Sequence, residues 1–172
     1  MSVPQDARPQ GAPPQDARFE DGVERPLRLR AESVDDLAVV SALLQDAVAE
    51  TGEIAWARRR RRFTLLLNRF RWEDAEAARL QGRPFERVRT LLVFDDVLAA
   101  RSEGVDPADK ATVLALLSVG FEPGEDGAGR VRLVFAGDGE IALDVECLDA
   151  TLTDVTRPYE ALSGHAPSHP GT

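Results

Sequence analysis

The chain has 172 residues, 43% of them hydrophobic and 30% charged, a mix that suits one globular domain with tails and excludes a collagenous, mucin-like or wholly disordered protein. Lys and Arg total 21 against 30 Asp and Glu, and the net charge of -9 disfavours non-specific nucleic-acid binding by the molecule as a whole. The single cysteine, Cys147, excludes an intramolecular disulfide framework and an all-cysteine zinc site.

Residues 1–25 carry Pro4, Pro9, Pro13 and Pro14 and repeat the string PQDAR at 4–8 and 14–18. Such a segment buries too little apolar surface to offset its chain entropy, so a disordered N-terminal extension is expected, and 158–172 reads the same way. A single domain over 26–157 remains. No run of about 18 apolar residues occurs, so no membrane-spanning helix is expected. The N-terminus has no basic flank followed by an apolar run, so no signal peptide is expected either, and a cytoplasmic setting is the default.

Leu27–Arg30 alternates and reads as a short strand. Ser33 lies three residues before Asp36, a variant of the capping box. Val34, Leu37, Val40, Ser41, Leu44 and Val48 then recur at three and four residues, which predicts an amphipathic helix ending before Gly52. Beyond Gly52 the period falls to two. Ile54 and Trp56 share one face, and Phe63, Leu65 and Leu67 alternate on the next strand. A four-residue loop, Arg58–Arg61, places Trp56 opposite Phe63 and Ile54 opposite Leu65. The second strand also carries Leu66, Phe70 and Trp72 on its other face, which suggests cover on both sides. Residues 73–85 read as a helical turn or loop.

Val88–Phe94 and Val97–Arg101 predict two further strands with Asp95 and Asp96 at the turn, and Val113–Phe121 another. A hairpin over 130–146 follows, with a three-residue loop at Gly137–Gly139. That register sets Leu133 opposite Leu143, Arg132 opposite Asp144 and Arg130 opposite Glu146. A last strand spans Leu148–Val155. About nine short strands and one principal helix predict an α+β fold. The sheet is expected to be mainly antiparallel, curled or forming a split barrel with the helix packed on it, or else a two-sheet sandwich.

Chemistry-bearing constellations are sparse. Glu140, Asp144 and Glu146 form the densest carboxylate group on a strand, but Asp144 and Glu146 face Arg132 and Arg130, which reads as surface ion pairing rather than acid–base catalysis. His165 and His169 stand four apart, yet Pro167 and Pro170 prevent the helix that would align them on a metal. The remaining chain has no histidine, so a Ser-His-Asp or Cys-His constellation is excluded within it. Cys147 has acidic sequence neighbours that oppose thiolate formation. Gly124, Gly127 and Gly129 precede a strand rather than a helix and read as a hairpin loop, not a phosphate cradle. No catalytic residue, metal ligand or cofactor is expected.

The one unusual feature is Arg58, Arg59, Arg60, Arg61 and Arg62, with Arg69 and Arg71 further along beside Trp72. Residues 58–71 carry +7, whereas 95–160 carry a net -10. A basic ribbon near aromatics could bind a partner or phosphates, and it could equally meet the acidic half of its own domain or of a second copy.

The strings DDLAVVSALLQDAV (35–48), RRFTLLLNRFRWE (61–73), ERVRTLLVFDDVLAARSEGVD (86–106) and GRVRLVFAGDGEIALDVECLDATLTD (129–154) together resemble a small alphaproteobacterial family of uncharacterised proteins classed as a domain of unknown function. The resemblance covers about 27–155 and implies one cytoplasmic bacterial domain with no activity or catalytic residue to carry over. The all-arginine loop departs from the Pro or Lys expected there in the family. The expected function is a non-enzymatic interaction domain, binding another protein or itself through the arginine-rich hairpin or the helix face. An RNA-binding module on the same ribbon and an enzyme using only carboxylates and arginines are the alternatives.

Overall fold

The computed structural model describes residues 26–162, 166 and 167. In chain order the elements are β1 (Arg28–Ala31), α1 (Val34–Leu43), β2 (Val48–Glu50), β3 (Ile54–Ala57), β4 (Arg62–Phe70), α2 (Trp72–Gln81), β5 (Glu86–Phe94), β6 (Val97–Glu103), β7 (Val113–Pro123), β8 (Gly129–Phe135), β9 (Gly139–Val145), β10 (Ala150–Asp154) and β11 (Tyr159–Glu160). The strands form one antiparallel sheet in the order β1-β10-β5-β4-β2-β7-β8-β9-β6, with β3 added to β4 and β11 to β5. The sheet runs from β1 to β6 without closing. The fold is therefore α+β and mainly antiparallel, as the alternation predicts, with eleven strands and two helices among the described residues rather than about nine strands and one principal helix.

β4 is the central strand. Phe63, Leu65 and Leu67 are fully or almost fully buried and join Leu92 and Phe94 of β5, Leu133 of β8, Leu143 of β9 and Leu152 of β10 in one core. The hairpin of β3 and β4 has the expected register, Trp56 opposite Phe63 and Ile54 opposite Leu65. On the other face of β4, Phe70 is buried against Trp72 (centroids 4.7 Å apart, near edge-to-face) and Phe85 (5.6 Å).

α1 starts where the capping signal places it. The Ser33 hydroxyl accepts from the Asp36 N–H at 3.1 Å, and the Asp36 carboxylate accepts from the Glu32 N–H at 3.1 Å. Leu37, Val40 and Leu44 then enter the core. The helix does not continue to Val48, as the three-and-four spacing predicts. Asp46 takes a left-handed conformation (φ 62°), and its N–H donates to Leu116 O while Leu116 N–H donates to Ala47 O. The backbone is thus captured by β7, and Val48 pairs with Ala115 in β2.

Further expectations are corrected. Residues 73–85 read as a helical turn or loop, but 72–81 form a full helix, α2, which ends at Gly82 in the left-handed conformation that a helix terminus favours (φ 63°). Asp95 and Asp96 do stand at the turn between two strands, as expected, but β5 pairs with β4 and β10 while β6 pairs with β9, so they turn a corner between two parts of the sheet. The 130–146 hairpin is displaced by two residues, with Leu133 opposite Ile141, Arg132 opposite Ala142 and Arg130 opposite Asp144. Gly137 (φ 80°) and Asp138 (φ 65°) supply the left-handed pair, so the loop is 136–138 and Gly139 begins the strand. A two-residue displacement keeps every side chain on its own face, and only the turn distinguishes the two registers. Beyond Pro158, Tyr159 and Glu160 pair with Arg87 and Glu86 and Ala161 is buried, so this part of the presumed tail belongs to the sheet. Residues 1–25 lie outside the described residues.

Arg69 follows Phe63, Leu65 and Leu67 on the core face of β4 and is 0% exposed. Its guanidinium forms a bidentate pair with Asp154 (3.1 and 2.9 Å) and a second with Glu73 (2.9 and 2.7 Å), and reaches Phe70 O at 3.4 Å. Arg71, also buried, pairs with Glu86, and Arg83 forms a bidentate pair with Asp74 (3.1 and 3.2 Å). This network ties α2 to β4, β5 and β10. Burial alone would raise the Glu73 carboxyl, but hydrogen bonds from Arg69 and from its own backbone outweigh it and hold the group below the ordinary carboxylate range. Breaking a buried pair from one side strands the remaining charges, so Arg69→Met should lower unfolding free energy by about 3–5 kcal/mol, read by urea denaturation. Because Glu73 titrates lower folded than unfolded, its contribution is complete above the unfolded pKa of about 4.3 and is lost as pH falls through the folded value. Glu73→Gln should therefore flatten the acid limb of the stability profile.

Candidate functional site

Ala31, Ala150, Phe94, Phe63 and Trp56 form one row across β1, β10, β5, β4 and β3. Just beyond that row, one end of the sheet gathers the start of α1, the corner at Asp95 and Asp96, the β9–β10 turn and the β3–β4 tip. Backbone hydrogen bonds join them: Asp95 N–H to Asp149 O, Glu146 N–H to Asp96 O and Val97 N–H to Arg61 O, each 2.9 Å.

The side chains on this rim are charged and mostly paired. Arg30 bonds Asp149 (3.2 and 3.3 Å) and Glu32 (3.0 Å), Arg61 bonds Glu146 (3.0 Å), and Arg62 bonds Asp95 (2.7 Å). The arginine run thus does meet acids of its own domain, but only in part. Arg58–Arg60 form a single 3₁₀ turn closed by the Arg61 N–H to Arg58 O bond at 3.2 Å, with Arg61 left-handed (φ 51°). All three arginines of the turn are exposed, and among the described residues no ion pair engages them.

The sequence grouped Arg58, Arg59, Arg60, Arg61, Arg62, Arg69, Arg71 and Trp72 as one ribbon. The structure divides it. Arg69 and Arg71 are buried at the far end of β4, and Trp72 donates its indole N–H to Gln45 O at 3.0 Å there. Only Arg58–Arg62 are at the rim. Alternation along β4 already put Arg69 on the face of Phe63, Leu65 and Leu67, which was the available sign that it points inward.

The expected Arg132–Asp144 and Arg130–Glu146 pairs change partners with the register. Arg130 bonds Asp144 (2.8 Å), which Arg101 also contacts, while Arg132 bonds Glu140 (2.7 and 3.0 Å) and Glu122 (2.9 Å). Of these, Arg101, Arg130 and Glu140 bound a shallow hollow of about 380 Å³ together with Ser102, Glu103 and Ala142. The Arg130 hydrogen bond, outweighing desolvation, holds Asp144 below the ordinary range, and Arg132 does the same for Glu140. Carboxylates kept ionised in this way are poor proton donors near neutral pH. Among the described residues no group of three or more His, Cys, Asp or Glu is arranged to hold a metal ion. His165 and His169 lie outside the described residues.

A second feature at this end was not visible in the sequence. Among the described residues β3 pairs only with β4, and β6 only with β9, so both present an unpaired edge. A cleft of about 220 Å³ lies between them, bounded by Trp56, Arg58, Leu98, Ala99 and Ala100. Leu98 sits at a bulge in β6 and is 49% exposed. Nothing in a single strand's alternation reveals such a seam, because it depends on which strands fail to pair.

Fold and site together describe an antiparallel α+β domain with buried and surface ion-pair networks and one concentration of unneutralised arginine. The chain belongs to the family described as Protein of unknown function (DUF2948), which matches residues 27–169. No curated protein and no solved structure matches it. Among the described residues no helix is long and apolar enough to cross a membrane.

Cys147 is exposed at the rim, its thiol donating to Asp96 at 3.2 Å. That bond, with burial and the charges of Asp96, Asp149 and Glu146, raises its pKa. Alkylation by iodoacetamide at pH 7.5 should be slower than for a free thiol and should accelerate several-fold in Asp96→Asn, as followed by mass spectrometry.

Proposed function

We propose that this is a non-enzymatic protein-interaction domain that engages an acidic segment of a partner at the β3–β4 tip. The observation that carries this reading is the contrast within one loop: Arg61 and Arg62 are neutralised by Glu146 and Asp95, while Arg58–Arg60 are held on a defined turn and face solvent. Three adjacent guanidiniums with no internal acid attract a carboxylate-rich chain and offer it bidentate hydrogen bonds.

The RNA reading loses support from the same geometry. Base recognition by such modules uses aromatic platforms beside the basic groove. Trp72 is engaged with Phe70 and Gln45 at the other end of β4 and Phe63 is buried, which leaves the partly exposed Trp56 beside Arg58 as a single ring at the tip among the described residues rather than a row of platforms. An enzyme working through carboxylates would need proton-exchanging acids, and those of β9 are neutralised by arginines.

A second contact surface has its own observation. α1 exposes Val34, Ala38, Val39 and Ala42, with Val34 49% and Val39 55% exposed, so its outward side is largely apolar.

The test is fluorescence anisotropy with a labelled ten-residue oligoglutamate peptide and, separately, a twelve-nucleotide single-stranded oligouridylate. Peptide binding at low salt should fall at least tenfold when Arg58, Arg59 and Arg60 are all changed to Ala, and should weaken steeply with salt, since exposed charges are screened beyond about 8 Å at physiological ionic strength. Folding stability of that variant should stay within about 0.5 kcal/mol of the parent, as for surface positions generally. Tighter retention of the RNA than of the peptide would establish the RNA reading instead. Capture of a native partner that survives the triple substitution but is lost on Val39→Asp would move the contact to α1.

A further inference from the structure

We propose that the seam between β3 and β6 receives an extended acidic peptide as an added β-strand, with Arg58, Arg59 and Arg60 binding its carboxylates. The proposal rests on the reading of the tip as a recognition element and specifies how the partner is held.

Three observations converge on the seam. The sheet path runs from β1 to β6 without closing, and among the described residues β3 and β6 exchange no backbone hydrogen bond; the loop that follows β3 meets the start of β6 at the tip, where Val97 N–H donates to Arg61 O. β3 runs toward that point and β6 runs away from it, so they border a cleft of about 220 Å³. Unpaired edges present backbone donors and acceptors that a further strand can satisfy.

The core reaches solvent through the same opening. Ile54, Trp56 and Ala100 pack on the hydrophobic core yet stay partly exposed, and Leu98 is turned outward at the β6 bulge. Alternate side chains of an inserted strand would cover them, whereas the opposite terminal strand, β1, packs against α1.

Charge selects the occupant. Arg58 is part of the cleft wall, and Arg59 and Arg60 continue from it, all three exposed. A chain alternating acidic and apolar residues satisfies both the guanidiniums and the apolar opening. A second copy offering its own β3 or β6 edge would bring the same arginines together and repel.

The test uses an eight-residue peptide alternating glutamate and valine, and the same peptide N-methylated at alternate residues along its hydrogen-bonding edge. Amide hydrogen exchange with mass spectrometry on the full chain should show protection across 54–57 and 97–103 on adding the first peptide. The N-methylated peptide should bind at least tenfold more weakly, and so should the first peptide to the protein with Arg58, Arg59 and Arg60 changed to Ala. Equal affinity for both peptides, with exchange at β3 and β6 unchanged, would overturn strand addition while leaving the arginine tip as the binding element. Binding unaffected by the triple substitution would overturn the tip reading as well. Protection of these strands that appears without peptide and rises with protein concentration would assign the seam to self-association and overturn the proposal.

Discussion

The structure depends on a charge placed where a hydrophobe would ordinarily sit. Arg69 lies on the core face of β4, in line with Phe63, Leu65 and Leu67, and is wholly buried. A buried guanidinium is tolerable only when its donors are satisfied and its charge is balanced. Nε, Nη1 and Nη2 all find acceptors, two carboxylates gripping the planar group from separate directions and the Phe70 carbonyl completing the set. Asp154 comes from β10 and Glu73 from α2, so one side chain fixes the end of the central strand, a neighbouring strand and the helix that follows. Phe70, packed at an angle against Trp72 and Phe85 on the other face, makes the same junction apolar on its far side.

That commitment shapes what the rest of the basic residues can do. Arg69, Arg71 and Arg83 are used at one end of the sheet, and Arg101, Arg130 and Arg132 are used across the outer face of β6, β8 and β9. Exposed pairs of this second kind contribute little individually to stability. Their consequence is chemical: each carboxylate held by a guanidinium is kept ionised and removed from proton transfer. In a chain of net charge -9, Arg58–Arg60 are then three adjacent arginines that no ion pair engages among the described residues.

Local signals in the sequence were legible where one element determines its own geometry. Ser33 and Asp36 mark the start of α1, and alternation with a four-residue loop fixes the β3–β4 register down to the opposing pairs. Signals failed where two arrangements share a pattern. Val48 continues the helical spacing of Val40 and Leu44, yet a left-handed Asp46 diverts the chain into β2. The β8–β9 hairpin can slide by two residues without turning any side chain to another face, and only Gly137 and Asp138 choose between the registers. Site residues were harder still. Arg69 and Asp154 are 85 residues apart, so summing charge by segment placed them in opposite blocks without showing that they neutralise each other.

The seam between β3 and β6 extends the same reasoning to what a strand lacks. A sheet that ends in two facing edges has an unmet demand for backbone hydrogen bonds, and natural sheets blunt such edges by bulges, charge or brevity. Here all three appear at one place: β3 has four residues, β6 carries the Leu98 bulge, and Arg58 stands at the opening. Those devices protect against indiscriminate pairing, since another neutral or basic edge meets either a kink or repulsion. They leave one kind of strand unopposed, one whose charge is negative and whose alternate residues are apolar. An edge guarded by arginine is thus selective rather than closed, and selectivity of that form follows from leaving Arg58–Arg60 without acids while their neighbours Arg61 and Arg62 have them.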